Sequence, residues 1–329
     1  MNTIIGELGK SNKFVDLSNQ IENKKSPISI SGLTDVGMVE LLSAINQYNK
    51  KPILLITYNE IQAKQILEII ENFEKEKAVL FPKKEIVTYD FVAESKDLPY
   101  ERIDVLNKII TNKVNIVVTT IEAVMQKMIA KKTLYKNILE LKVGSECKLE
   151  DLKKYLVSLG YERSDMVEGR GQFAVRGGIV DISLTEKYGT RIEFWGDEVD
   201  SIRKFEILSQ RSTEMSDSID IYPCHEFILE TDIDDIKHKI DSYKKCSEED
   251  KELICSGNYL SKIDKYFDLF YENQANFLDY ISDKYLLILD EETKIKQRID
   301  NIKIDNNNLI KSIAEKGRII PDAIESISD

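Results

Sequence analysis

Short apolar runs separated by amphipathic stretches constrain the first third of this chain more than anything else in it. Pro52-Ile-Leu-Leu-Ile-Thr57, Ala78-Val-Leu-Phe81 and Asn115-Ile-Val-Val-Thr119 are brief and apolar throughout. Runs of this kind suit strands covered on both faces, as in a parallel sheet. Helical periodicity fills the intervals. Val36, Val39, Leu42 and Ile45 share one side of a first helix. A second carries Ile61, Ile66, Leu67, Ile69 and Ile70, with Asn59 placed to cap it. Ile28-Ser-Ile-Ser31 reads as one more strand, turning at glycine into the first helix. The alternation predicts an α/β layer built on a mostly parallel sheet.

The middle of the chain obeys a different period. After one helical stretch, Leu149 to Leu159, alternation by two takes over and glycine becomes frequent. Phe173-Ala-Val-Arg-Gly-Gly-Ile-Val-Asp-Ile182 and Thr190-Arg-Ile-Glu-Phe-Trp195 read as strands, and Gly196-Asp197 turns the chain back into Glu198–Phe205. This pattern predicts an inserted small α+β domain with an antiparallel sheet. The last third returns to polar helices, over Ile233–Lys245 and Tyr259–Asn276. One apolar strand, Tyr285-Leu-Leu-Ile-Leu-Asp290, interrupts them, and a helix follows from Glu291. Three regions result: an α/β part over 1–137, the insertion over 138–223, and a mostly helical part over 224–329.

Composition narrows the function. The chain has 329 residues and a net charge of −12, which argues against a protein whose main task is to grip nucleic acid electrostatically. Its N-terminus shows no basic region followed by a long apolar run, and nothing approaches the ~18 consecutive apolar residues of a membrane span. Cys147, Cys224, Cys246 and Cys255 form no C-x-x-C pair, and with His225 and His238 they fit no zinc spacing. The expectation is a reduced, cytoplasmic protein without metal or cofactor.

Two segments carry the marks of nucleotide chemistry. Gly32-Leu-Thr-Asp-Val-Gly37-Met38-Val39 has both glycines of the phosphate-binding pattern G-x-x-x-x-G-K-[ST]. Met38 stands where Lys would neutralise the β- and γ-phosphates, and Val39 where a hydroxyl would ligate Mg²⁺. Backbone N–H groups at a helix start are what remains; a plain strand-to-helix turn is the simpler reading. Leu286-Leu-Ile-Leu-Asp290-Glu291 ends an apolar run on two acids. Such an Asp helps hold Mg²⁺ in P-loop ATPases, but acids at a helix start also favour its dipole. Together Gly32, Gly37, Met38, Val39, Asp290 and Glu291 read as a degenerate nucleotide site.

Arginine is the scarce residue. Six of nine arginines fall between positions 163 and 211, in a chain whose other positive charges are nearly all Lys. Planar forked donors concentrated in one small region point to recognition of a partner. Alternation by two puts Arg191, Glu193 and Trp195 on one strand face, with Ile192 and Phe194 on the other. The first set forms either a solvated charged face or an interface. An exposed lone Trp beside Arg favours the interface.

These segments resemble a known family. Gly160-Tyr-Glu-Arg163, Gly171-Gln-Phe-Ala-Val-Arg-Gly-Gly-Ile-Val-Asp-Ile182, Arg191-Ile-Glu-Phe-Trp-Gly-Asp-Glu-Val-Asp-Ser-Ile-Arg203 and Ser209-Gln-Arg-Ser212 are similar to domain 2 of bacterial transcription-repair coupling factors. The excision protein UvrB shares a related module. The likeness reaches Ser31-Gly32, Leu98-Pro99-Tyr100 and Leu286–Glu291, and so covers nearly the whole chain. It implies a RecA-like domain 1a over 1–137, whose degenerate P-loop is Gly32–Val39 and whose N-terminal helix packs on domain 1b. It further implies domain 2 over 138–223 and a helical domain 1b over 224–329.

In that family domain 2 binds the damage sensor UvrA, and other domains of the same protein mask the binding surface. Later domains engage RNA polymerase and move along DNA with ATP. Carried over by motif, the UvrA-binding positions are Arg163, Arg176, Arg191 and Glu193, with Trp195 where the family usually has Phe. The alternative is a UvrB-like ATP-dependent damage-binding or helicase protein. That reading needs an intact P-loop and a long aromatic hairpin after Tyr89. Met38 and Val39 break the first, and too few residues separate Tyr89 from Tyr100 for the second. The implied role of this region is recruitment without catalysis.

Overall fold

The computed structural model describes residues 3–73, 78–84, 97–228, 233–243, 246, 248–255, 266–271 and 274–315. Tyr89, the start of the expected helix Tyr259–Asn276, the Cys255 side chain and Arg318 lie outside them. The chain forms two compact units: residues 1–83, 108–126 and 277–305, and residues 84–107, 127–276 and 306–329.

In the first unit four parallel strands stand in the order Leu286–Leu289, Ile53–Thr57, Ile116–Thr120, Ala78–Phe81. The two central strands are the apolar runs, and all ten of their residues are buried. The helices Asp35–Asn49 and Glu60–Phe73 supply Val39, Leu42, Ile45, Ala63, Ile66 and Ile70 to the core. Ile5, Phe14 and Ile21, from the helices Thr3–Gly9 and Asn12–Glu22, join the same cluster. Asn59 caps as expected: its Oδ1 accepts from the Gln62 amide at 2.8 Å.

One expectation fails here. Ile28–Ser31 forms no strand; it has no regular secondary structure and lies outside the sheet. Pro27 has no N–H to donate, and of its two isoleucines only Ile28 packs on the core while Ile30 is 48% exposed. A strand there would gain neither a full ladder nor burial on two faces. Leu286–Leu289 is the expected strand and stands at the sheet edge, where Leu287 and Leu289 are about half exposed.

The second unit centres on six strands in the order Ser212–Ser216, Glu198–Glu206, Tyr188–Trp195, Ile179–Ser183, Gln172–Arg176, Glu162–Arg163. Neighbours are antiparallel except the last pair, which is parallel. Phe173, Val180, Ile182, Ile192, Phe194 and Ile202 line one face and pack with Leu152 and Leu156 of the helix Leu149–Ser158. The run Phe173–Ile182 is two strands folded back at Gly177-Gly178. Gly177 takes a left-handed φ of 61°, and a Cβ on Gly178 would lie 2.9 Å from the Phe194 carbonyl oxygen.

Two smaller ribbons complete the unit, Leu139–Lys142 with Ser218–Ile221 and Met128–Ile129 with Gln274–Ala275. The second replaces the end of the expected helix Tyr259–Asn276, of which only Phe267–Phe270 is helical among the described residues. Pairing with a strand distant in sequence decided this, and local periodicity does not report it. Buried Glu226 accepts from Arg102 and pairs with Lys84 at 3.3 Å. Burial pushes its carboxyl up, but the two cations outweigh that and hold it below the usual range. Among the described residues no helix is long and apolar enough to cross a membrane.

Candidate functional site

The six-stranded sheet has a second face, opposite the helix Leu149–Ser158. Residues paired directly across strands share a face, so the registers define its rows. Ala174, Asp181, Arg191, Arg203 and Met215 stand opposite one another in one row across five strands. Arg176, Ile179, Glu193 and Ser201 make the next. Trp195 closes its strand beyond them, opposite Glu198, and is 84% exposed.

Asp181 organises the rows. Its side chain is 1% exposed, and it accepts from Arg191 Nε at 2.7 Å and Nη2 at 2.9 Å. A third bond comes from Arg176 Nη2 at 2.5 Å. A buried carboxylate is tolerable only when paired in this way. The same bonds from Asp181 raise the Arg191 guanidinium above its ordinary pKa. Arg191 Nη1 donates to the Gln210 carbonyl at 3.4 Å, and its guanidinium lies 4.9 Å from the Phe205 ring centroid. Glu193 Oε2 accepts from Ser201 Oγ and Arg203 Nη2, each at 3.0 Å.

Of the residues expected to form a binding surface, Arg176, Arg191, Glu193 and Trp195 come together. Arg163 does not join them. It stands opposite Phe173, whose ring belongs to the other face, and lies at the far edge of the sheet. Asp181, Arg203 and Met215 escaped the sequence reading. For Asp181 the signal was present, a lone acid between Val180 and Ile182 in an apolar run. For Met215 there was none, because its place follows from register alone.

The expected nucleotide residues lie in the first unit. Gly32 is exposed with φ 82°. Thr34 caps the following helix: its Oγ1 accepts from the Gly37 amide at 3.2 Å, and its carbonyl accepts from the Met38 amide at 2.8 Å. Val39 is buried in the core and Met38 packs against it, so neither side chain is directed to solvent chemistry. Gln62 links this turn to Asp290. It donates to Asp35 Oδ1 at 3.3 Å, and its side-chain amide tempers the charge on Asp290. Asp290 Oδ2 has no donor among the described residues. Burial, then Glu291 and Asp35, push the Asp290 carboxyl above its usual range, and Lys294 offsets this only in part. Three carboxylates, Asp35, Asp290 and Glu291, therefore act on one another at this end of the sheet.

Comparison with known proteins agrees with the second unit. A family described as "UvrB interaction domain" matches residues 139–227. A transcription-repair-coupling factor of Bacillus subtilis (strain 168) is 31% identical over the whole of this chain. One of Staphylococcus aureus (strain bovine RF122 / ET3-1) is 26% identical over 96% of it. The chain spans 30% and 28% of the lengths of these two relatives. The aligned stretch takes in the parallel-sheet unit as well as the matched domain, and together these likenesses indicate the N-terminal region of a transcription-repair-coupling factor.

Proposed function

We propose that this region is a recruitment module that binds the damage sensor UvrA through the open face of the six-stranded sheet. The observation that carries this reading is Trp195, 84% exposed at the end of a strand whose Arg191 and Glu193 are held in a charged lattice. A large aromatic beside ordered arginines is the composition of an interface hot spot. The name of the family matching residues 139–227 supports the same reading, since it denotes an interaction domain. Arg176 and Trp195 supply contacts, Arg191 and Glu193 belong to the same face, and Arg163 stands apart as a separate contact at the sheet edge.

The region itself performs no catalysis in this proposal. The turn Gly32–Val39 lacks a phosphate-neutralising Lys, its helix start is partly satisfied by Thr34, and Asp35, Asp290 and Glu291 oppose an incoming anion. In the full-length protein, ATP-driven movement on DNA and release of stalled RNA polymerase belong to later domains, and other domains mask the UvrA surface. Calorimetric titration of this chain with UvrA tests the reading. Binding by the wild type that is lost in Trp195→Ala supports it. Absence of binding by the wild type, or binding indifferent to Trp195, overturns it.

A further inference from the structure

We propose that the contact surface for UvrA extends beyond the Trp195 strand to Arg203 and Met215, while Asp181 and Arg191 serve to hold it in shape. This rests on the recruitment reading above and assigns the work within that site. Arg191 is consumed internally: both Asp181 oxygens, the Gln210 carbonyl and the Phe205 ring occupy its guanidinium, and its side chain is only 16% exposed. Arg203 stands next in the same row and is different. It gives one hydrogen bond, through Nη2 to Glu193 Oε2, its Nη1 makes none among the described residues, and its side chain is 36% exposed. A guanidinium with donor capacity to spare, beside solvent, fits an incoming carboxylate.

Met215 ends the row. It pairs directly with Arg203, is 69% exposed, and sits on an edge strand whose five residues are all exposed. A flexible thioether at the rim of a charged face adapts to an apolar contact. Arg203 and Met215 together fit a partner segment that offers a carboxylate next to an apolar side chain. Trp195, Arg176, Arg203 and Met215 then form a continuous surface across the strands from Gln172–Arg176 to Ser212–Ser216.

The test is calorimetric titration of the 329-residue chain with UvrA at two salt concentrations, paired with thermal melting of each variant. Arg203→Ala is expected to weaken binding roughly 10- to 100-fold and to flatten the salt dependence, with the melting temperature unchanged. Met215→Ala is expected to weaken binding about 3- to 10-fold with the salt dependence kept. Arg203→Lys should recover part of the lost affinity. Arg191→Ala should lower the melting temperature along with affinity, since it strips a buried carboxylate of two bonds. Val157→Ala is the control, an exposed apolar residue on the helix that covers the other face, and should bind as the wild type does. Wild-type affinity in both Arg203→Ala and Met215→Ala, with Trp195→Ala impaired, would overturn the extension and leave recruitment standing. No binding by the wild type would overturn both.

Discussion

Asp181 and Asp290 each adjoin an apolar strand, one in each unit, and their surroundings are opposite. Asp181 is buried and receives three hydrogen bonds from two guanidinium groups. Asp290 is half-buried beside Asp35 and Glu291, with one oxygen lacking a donor. The first carboxylate fixes the positions of the arginines around it. The second stands among like charges, near a helix whose Met38 and Val39 turn into the core. The pairing of buried charge thus separates an ordered charged face from a corner where like charges stand together. Placement at a strand end, taken alone, would have ranked the two the other way.

The sharpest break of this comparison is Asp181→Ala. Removing the carboxylate leaves Arg176 and Arg191 adjacent without an anion, and loss of one partner from a buried pair costs about 3 kcal/mol or more. Urea unfolding should show that loss in the midpoint. A variant as stable as the wild type would show that Asp181 is not the organising group. Next in size is Trp195→Ala, expected to cost about 2 kcal/mol of UvrA binding, roughly 30-fold, while leaving the melting temperature in place because the ring is so exposed. A matched loss of stability would move Trp195 from contact to scaffold.

Asp290 makes the reverse prediction. Its carboxyl is raised in the folded state, so protonation favours folding; the penalty is fully present above the folded pKa and disappears as pH falls to the unfolded value. Asp290→Asn should therefore stabilise the chain at neutral pH by a few tenths of a kcal/mol, the size typical of partly exposed charges. The gain should vanish in acid. Glu122 in the same unit behaves oppositely. Burial raises its carboxyl, but hydrogen bonds from Arg298 and Lys83 outweigh that and hold it low. Its contribution is present above the unfolded pKa and lost as pH falls through the folded one. Glu122→Gln should lower stability at neutral pH and weaken acid sensitivity, whereas destabilisation by Asp290→Asn would show that its carboxylate has a partner. The smallest expected effect is none at all: millimolar Mg-ATP should leave the melting temperature unmoved. An upward shift would reveal binding to the folded form and revive a nucleotide-dependent reading.

Much of this was legible in the residues themselves. The buried strands Ile53–Thr57 and Ile116–Thr120, the cap at Asn59, the helix Leu149–Ser158 and the turn at Gly196-Asp197 all follow from local pattern and chemistry. So does the common face of Arg191, Glu193 and Trp195, because a strand's period of two is local. The limits appear at Ile28–Ser31, which has the apolar letters of a strand but no neighbour to pair with, and at Gln274–Ala275, where a distant strand claimed residues that read as helix.

The sequence by itself determined the buried strands, the long amphipathic helices and the face of a strand on which each residue falls, since backbone dihedrals and side-chain alternation act over a few residues. Only the tertiary structure decided who stands opposite whom. Register places Asp181 between two arginines, puts Met215 beside Arg203 and leaves Arg163 on the other face. Those neighbours come from different strands, and a shift of one residue in any pairing would send each side chain to the opposite face.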